Sequence, residues 1–228
     1  FYFDKIKNGI KKNIFLYTEE GKKKNSLISE LCSKNLVNVT KPIFSFYNRK
    51  LNLTNHTIGF VGEARINKGF KEIPKFIEII NKHNKNINFI IQFSNLDNYT
   101  KETADHLHEL SLKYKNIQII HRYCDYNEYR SILKRITIMP LLYDLKQIKI
   151  GSGVLYSCIS HEIIPIIPKN CDYLKEILSS NSYLEASDID CFANNSLIVI
   201  KNYKDYLTNA KNSSKNLFYS IENDFLIN

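Results

Sequence analysis

"IGFVGEARINKGFKEIPKFIEIINK", residues 58–82, decides how this chain is read. It opens on a β-prone run, Ile58-Gly59-Phe60-Val61, that stops at Gly62. Apolar residues then recur at Phe70, Ile73, Phe76, Ile77 and Ile80. Those three- and four-residue spacings predict a helix over Phe70–Lys82 with one buried face. Pro74 falls in about its first turn, where a missing N–H costs least. Between strand and helix stand two glycines, Gly62 and Gly69, and two cations, Arg65 and Lys68. The turn is either an ordinary connection with solvated charges or a seat for an anion.

The alternation continues outward. Strands are predicted at Ile58–Val61, Ile87–Phe93, Ile117–Ile120, Ile136–Met139 and Ile163–Ile167. Helices are predicted between them at Lys101–Tyr114, Asp125–Leu133 and Gly153–His161, with a short one at Tyr173–Leu178. Asp125 suits an N-cap, with Glu128 at the capping-box position. Pro140 ends the fourth strand. Strands alternating with helices imply right-handed βαβ units and an α/β fold, a doubly wound parallel sheet of Rossmann type. The short, almost wholly apolar strands fit burial on both faces. Ligands of such sheets bind beyond the strands' carboxyl ends. Function is therefore expected in the loops after residues 61, 93, 120, 139 and 167.

Residues 1–50 carry a smaller strand–helix–strand pattern, Asn13–Thr18, Lys22–Cys32 and Leu36–Val39. They are expected to be the remnant of a preceding α/β domain, with the polar stretch 48–56 as linker. Residues 51–202 are expected to form the main domain, and 203–228 read as one or two helices, Tyr203–Ala210 and Ser213–Phe225, with no further strand.

Bulk composition narrows the function. The 228 residues are 43% apolar, enough for one large domain or one and part of another. No run is long and apolar enough for a membrane helix, and no signal peptide is visible. The first residue is Phe, so a fragment is expected. Five scattered cysteines (Cys32, Cys124, Cys158, Cys171, Cys191) without CxxC argue against a disulfide framework and a zinc site and fit the cytoplasm. The formal charge of +9 could serve nucleic acid, an anionic membrane surface or phosphate-bearing substrates. The lysines are spread along the chain, and no RNP-type or helix-turn-helix signature is present, so no nucleic-acid partner is expected.

Three loops carry candidate chemistry. In the first, Gly62 allows close backbone approach, the N–H groups opening the Gly69 helix favour negative charge, and Arg65 and Lys68 add a fork of donors and a point charge. Together they suit a diphosphate. The spacing is neither GxxxxGK[ST] nor GxGxxG. In the second, "PLLYDLKQIKIGSG" (140–153), Gly151-Ser152-Gly153 leads into an apolar helix and offers a second anion seat. Tyr143 and Asp144 could contact a sugar or base, or cap the loop. In the third, "HRYCDYNEY" (121–129), His121 and Arg122 follow a strand end. His161, Glu162 and Asp172 flank the next strand and are weaker candidates. Triad spacing, HExxH and His/Cys clusters are lacking, so no metal and no cofactor are expected.

Taken in order, "IGFVGEARINKGF", "NIQIIHRYCDYNEYRSILKRITIMPLLYD" and "GSGVLYSCISHEIIPIIP" resemble the C-terminal, nucleotide-sugar-binding domain of GT-B glycosyltransferases of the large retaining group 1 type. The resemblance covers residues 57–180, and residues 14–47 resemble the end of that family's acceptor-binding domain. It implies that Arg65 and Lys68 stabilise the donor diphosphate as catalytic groups, next to Gly62 and Glu63. It implies further donor contacts from Arg122 and Tyr123 in a base-binding loop, and from Tyr143, Gly151, Ser152, Gly153, Val154 and Ser157 around the phosphate-binding loop. The substrate would be a nucleoside diphosphate sugar, and the acceptor a glycan or a lipid-linked glycan. The enzyme would sit in the cytoplasm, with the basic surface suited to an anionic inner leaflet. In this fold the terminal helix commonly crosses back to the first domain, as 213–226 could. The chain departs from the family at a pair of glutamates seven residues apart, where Lys149 and Ser157 stand. That loss equally suits a non-catalytic GT-B-like partner of a glycosyltransferase. An epimerase or phosphorylase on the same fold is a further alternative.

Overall fold

The computed structural model describes residues 15–17, 38–40, 47–49, 55–144, 152–169, 171–175 and 177–226. Two short strands, β1 (Phe15–Tyr17) and β2 (Asn38–Thr40), pair in parallel from Phe15↔Asn38 to Tyr17↔Thr40. Parallel neighbours need a crossover, as the predicted strand–helix–strand unit has. Its helix, Lys22–Cys32, lies outside the described residues.

The main unit is a six-stranded, wholly parallel sheet. Its strands are β3 (Thr57–Glu63), β4 (Asn88–Ser94), β5 (Ile117–His121), β6 (Ile138–Pro140), β7 (Ile164–Pro168) and β8 (Leu184–Ala186), in the order β5-β4-β3-β6-β7-β8. This is the doubly wound Rossmann order, which reverses between β3 and β6. β3 pairs with β4 along its length, from Thr57↔Asn88 to Glu63↔Ser94. With β6 it pairs only at Ile58↔Ile138. The sheet is therefore tied at the amino end of this junction and unpaired toward the carboxyl end, which leaves room for a crevice.

Strand periodicity sorts the core into two layers. Phe89, Ile91 and Phe93 of β4 join the cluster under helices α1 (Ile73–His83), α2 (Lys101–Lys113) and α6 (Ile189–Lys201), whereas Ile90 joins the opposite one. That second cluster holds Ile132 and Leu133 of α3 (Tyr126–Arg135), Leu155 and Ile159 of α4 (Gly153–Ser160), and Leu174 of the short α5 (Asp172–Lys175). Asp125 caps α3 in a full capping box with Glu128, as its sequence predicts.

Two elements differ from expectation. β8 and α6 occupy 184–201, a span without a predicted element; β8 is a three-residue edge strand, and the Asp188 cap of α6, which accepts from the Cys191 N–H, is its local signal. Residues 203–226 form one helix, α7 (Tyr203–Leu226), because "KNS" holds neither Gly nor Pro to stop it. Leu207, Ala210 and Leu217 of this helix are buried in the main unit's two cores.

The polar stretch before β3 is not wholly solvated. Arg49 is only 3% exposed, although it lies in a segment that reads as linker. Its guanidinium donates to the carbonyls of Leu133, Lys134 and His161 at 3.1–3.3 Å, and its backbone N–H donates to the Glu162 carboxylate at 2.7 Å. Helix C-termini leave carbonyls without intrahelical partners, and one arginine here serves the ends of both α3 and α4. Arg49→Met should therefore lower the unfolding free energy by about 3 kcal/mol, the order expected when a buried charged partner is deleted. Urea denaturation checks it, and an unchanged midpoint would refute the clamp. Burial holds the neighbouring His161 imidazole at about 4, with Arg130, Arg49 and Lys134 adding repulsion. Between the ordinary value of about 6.5 and this one, the unfolded chain binds the proton and the native chain does not. Stability should fall as pH drops through that window, and His161→Gln should flatten the slope of Tm against pH.

Candidate functional site

The crevice at the carboxyl ends of β3 and β6 is walled by the two loops that sequence singled out first. Gly62 ends β3 at φ 121°, a region open to glycine. Its N–H donates to Gln92 Oε1 at 3.0 Å. The chain then makes a 3-10 turn, Ile66–Lys68, and reverses at Gly69, φ 76°. A Cβ on Gly69 would strike the carbonyl oxygen of Leu142. That absent methylene lets the loop after β3 lie on the loop after β6, where the Asp144 N–H donates to the Asn67 carbonyl at 3.0 Å.

Lys68 stands where the loops meet. Its Nζ lies over the Tyr143 ring, 5.6 Å from the centroid, a cation–π contact of about 0.5–1 kcal/mol. The Tyr143 hydroxyl lies 2.7 Å from Ser152 Oγ. Ser152 in turn caps α4, accepting from the Leu155 N–H at 3.2 Å. A chain of contacts thus runs from the Lys68 ammonium to the start of α4, where the Gly153 and Val154 N–H groups have no acceptor within the helix. Gly62, Glu63, Lys68, Tyr143 and Val154 line a single cleft. Positive charge, helix-terminal N–H groups and a glycine wall together suit an anion with several oxygens.

The remaining candidates are placed differently. Arg65 stands at the rim, half-exposed, with Nε 3.1 Å from Glu63, whose other oxygen accepts from Asn95. Arg122 is exposed and spends its guanidinium on Glu128 in two 2.7 Å bonds. Tyr123 is 81% exposed and, like Arg122, does not line the cleft. Ser157 faces inward: it is buried, donates to the Gly153 carbonyl at 3.1 Å and bonds the Tyr129 phenol of α3, which desolvation pushes up to about 12. His161 and Glu162 lie between α4 and β7, where they serve the Arg49 clamp, and Asp172 opens α5 after β7. His121 stacks on Phe93, 4.5 Å between centroids. Gly151 and Lys149 lie outside the described residues. Among the described residues, no group of three His, Cys, Asp or Glu side chains could hold a metal.

Sequence reasoning missed Gln92. It is buried on β4, accepts from the Gly62 N–H and donates through Nε2 to the Arg122 carbonyl at 2.8 Å. The two backbone partners fix its amide orientation, since an N–H must meet Oε1 and a carbonyl must meet Nε2. Gln92 ties the first and third loops together. The available signal was one polar residue in the otherwise apolar run "FIIQF" (89–93), close to a strand's carboxyl end.

No family model matches this chain, and no curated protein matches it. Solved structures do. It is similar to the C-terminal domain of a glycosyl transferase group 1 family protein, LpcC, from Francisella tularensis: TM-score 0.57 at 18% identity, over 70% of this chain and 83% of that one. It is similar to TarM of S. aureus, TM-score 0.64 at 12% identity, over 93% of this chain and 43% of TarM. It is similar also to an α,α-trehalose-phosphate synthase (UDP-forming) from Burkholderia xenovorans, TM-score 0.56 at 12% identity, over 75% of this chain and 41% of that one. The chain thus spans about two fifths of the length of the latter two. Gln92→Leu would strand a buried donor and a buried acceptor, and should cost about 2 kcal/mol in urea denaturation; a smaller loss from Gln92→Leu than from an exposed control would refute the bridge. The sheet order, the crevice and these likenesses give the chain the fold of the C-terminal domain of group 1 GT-B glycosyltransferases.

Proposed function

We propose that this chain is the donor domain of a glycosyltransferase that binds a nucleoside diphosphate sugar. The observation that carries the proposal is the convergence of Lys68, the Gly62 turn and the start of α4 on one cleft at the sheet's switch point. TarM, which shares the fold, is known in complex with fondaparinux, α-GlcNAc-glycerol and UDP, which supports a nucleotide and a glycan as partners here. The diphosphate would lie between the first loop and the α4 N-terminus, with Glu63 and Tyr143 toward the sugar. Gly151 would complete the phosphate loop.

In the reaction, the bond from the anomeric carbon to the diphosphate oxygen breaks with its electron pair going to that oxygen, and an acceptor hydroxyl oxygen bonds that carbon as its proton passes to the leaving diphosphate or to solvent. Negative charge grows on the leaving diphosphate. Lys68, Arg65 and the α4 N–H groups would stabilise it, and preorganised donors act most strongly where charge develops. With those cations in place, no divalent ion is required. Arg65 would have to leave Glu63, an exposed pair with little energy to lose. Arg122 and Tyr123 would act at the base through the loop that Gln92 holds. The acceptor would be a surface glycan or a lipid-linked one. Among the described residues no helix is long and apolar enough to cross a membrane. The net basic charge would suit a cytoplasmic enzyme held at an anionic leaflet.

Titration calorimetry with UDP and GDP at low salt tests the site. One of them should bind saturably, and Lys68→Ala should weaken it about tenfold, or 1.4 kcal/mol. No binding of either would overturn the donor assignment and favour a non-catalytic GT-B-like subunit. In the complete enzyme, Arg65→Ala should lower kcat/KM by about 2–4 kcal/mol of transition-state stabilisation. An unchanged kcat/KM would remove Arg65 from catalysis.

A further inference from the structure

The opposite end of the sheet carries a second cleft. It lies at the amino ends of β3, β4 and β5, spans about 900 Å³ open broadly to solvent, and is lined by the segments before those strands. A volume of that order is ample for an oligosaccharide segment. Three exposed lysines, Lys85, Lys113 and Lys115, line it, and among the described residues no aspartate or glutamate does. Among the described residues none of the three lysines makes an ion pair. The chain as a whole carries 32 basic and 23 acidic residues, so three lysines without a carboxylate among the described lining residues lean further basic than the average.

The rest of the lining is amide and aromatic. Asn86 and Asn88 border the cleft beside the half-buried Tyr114 ring, over which Lys113 Nζ lies at 5.1 Å. The scaffold is held by Asn116, whose amide donates to Asn81 Oδ1 at 2.9 Å, to the Ile87 carbonyl at 2.7 Å and to the Lys85 carbonyl at 3.3 Å. At the back, His56 Nδ1 is buried without a hydrogen-bond partner among the described residues. Amides can both donate to and accept from sugar hydroxyls, an aromatic face takes their C–H surface, and lysines meet acidic substituents.

We propose that this cleft binds a saccharide chain bearing negatively charged groups, as a hold remote from the donor crevice. Its concavity and amide lining favour a discrete glycan over a flat lipid surface, and its one aromatic ring gives no stacking series for single-stranded nucleic acid. In serving as a hold for an acceptor chain, the cleft rests on the transferase reading; its binding chemistry does not.

Calorimetry at low ionic strength, on the 228-residue chain, tests the proposal with hexagalacturonate as probe. Saturable binding is expected, weakening with salt. The triple variant Lys85→Glu, Lys113→Glu, Lys115→Glu should lose about tenfold or more in affinity. Its melting curve and its UDP titration should stay unchanged, so failure of this site and failure of the donor site are read separately. Neutral maltohexaose should bind at least tenfold more weakly than hexagalacturonate. Equal binding of maltohexaose, equal binding of inorganic phosphate alone, or full affinity in the triple variant would each overturn the proposal. So would lysine-dependent binding of phosphatidylglycerol vesicles or of oligouridylate in the absence of binding to hexagalacturonate.

Discussion

The backbone of Gly69 lies against the carbonyl of Leu142, and the crevice depends on that contact. A side chain at residue 69 would push the loop after β3 off the loop after β6. The Asn67–Asp144 backbone bond would then break, and Lys68 would lose its place over Tyr143. The positive φ at the same residue compounds the demand, since L side chains adopt it at a cost of about 1 kcal/mol or more. One missing methylene therefore couples two strands that are unpaired at this end of the sheet.

Around that contact the charges are arranged economically. Lys68 lies over the Tyr143 ring where the two loops meet. Arg65 and Arg122 face carboxylates of their own loops, Glu63 and Glu128. A ligand of Arg65 would compete with the Glu63 carboxylate. Exposed pairs of this kind contribute about 0–1 kcal/mol, so the competition is open to a diphosphate.

Much of this was legible in the sequence, and the limits have physical causes. The apolar runs and helical periods from residue 57 placed five strands and three helices within two residues of their ends, because buried strands and amphipathic helices follow the core. The capping box at Asp125 and Glu128 was local enough to read residue by residue. β8 was not, since a three-residue edge strand carries too few side chains to show a period. The inward turn of Ser157 was equally hidden, because which face of a small, apolar helix meets its neighbour is set by tertiary packing. Gln92 was hidden for the opposite reason: its meaning lies in two backbone groups from loops thirty residues away on either side. Arg49 looked like linker because a charge usually marks solvent, and only the orphan carbonyls of two helices make its burial intelligible.

α7 changes where this unit ends. The strands are complete by Ala186, yet Leu207 is fully buried, Leu217 nearly so, and Ser213 binds the Ser179 N–H and Ser182 hydroxyl from the middle of the helix. The terminal helix is therefore the outer wall of the core that it follows. A chain cut after residue 202 would keep every strand of the sheet and lose its cover, so the smallest independently stable piece is longer than its topology suggests.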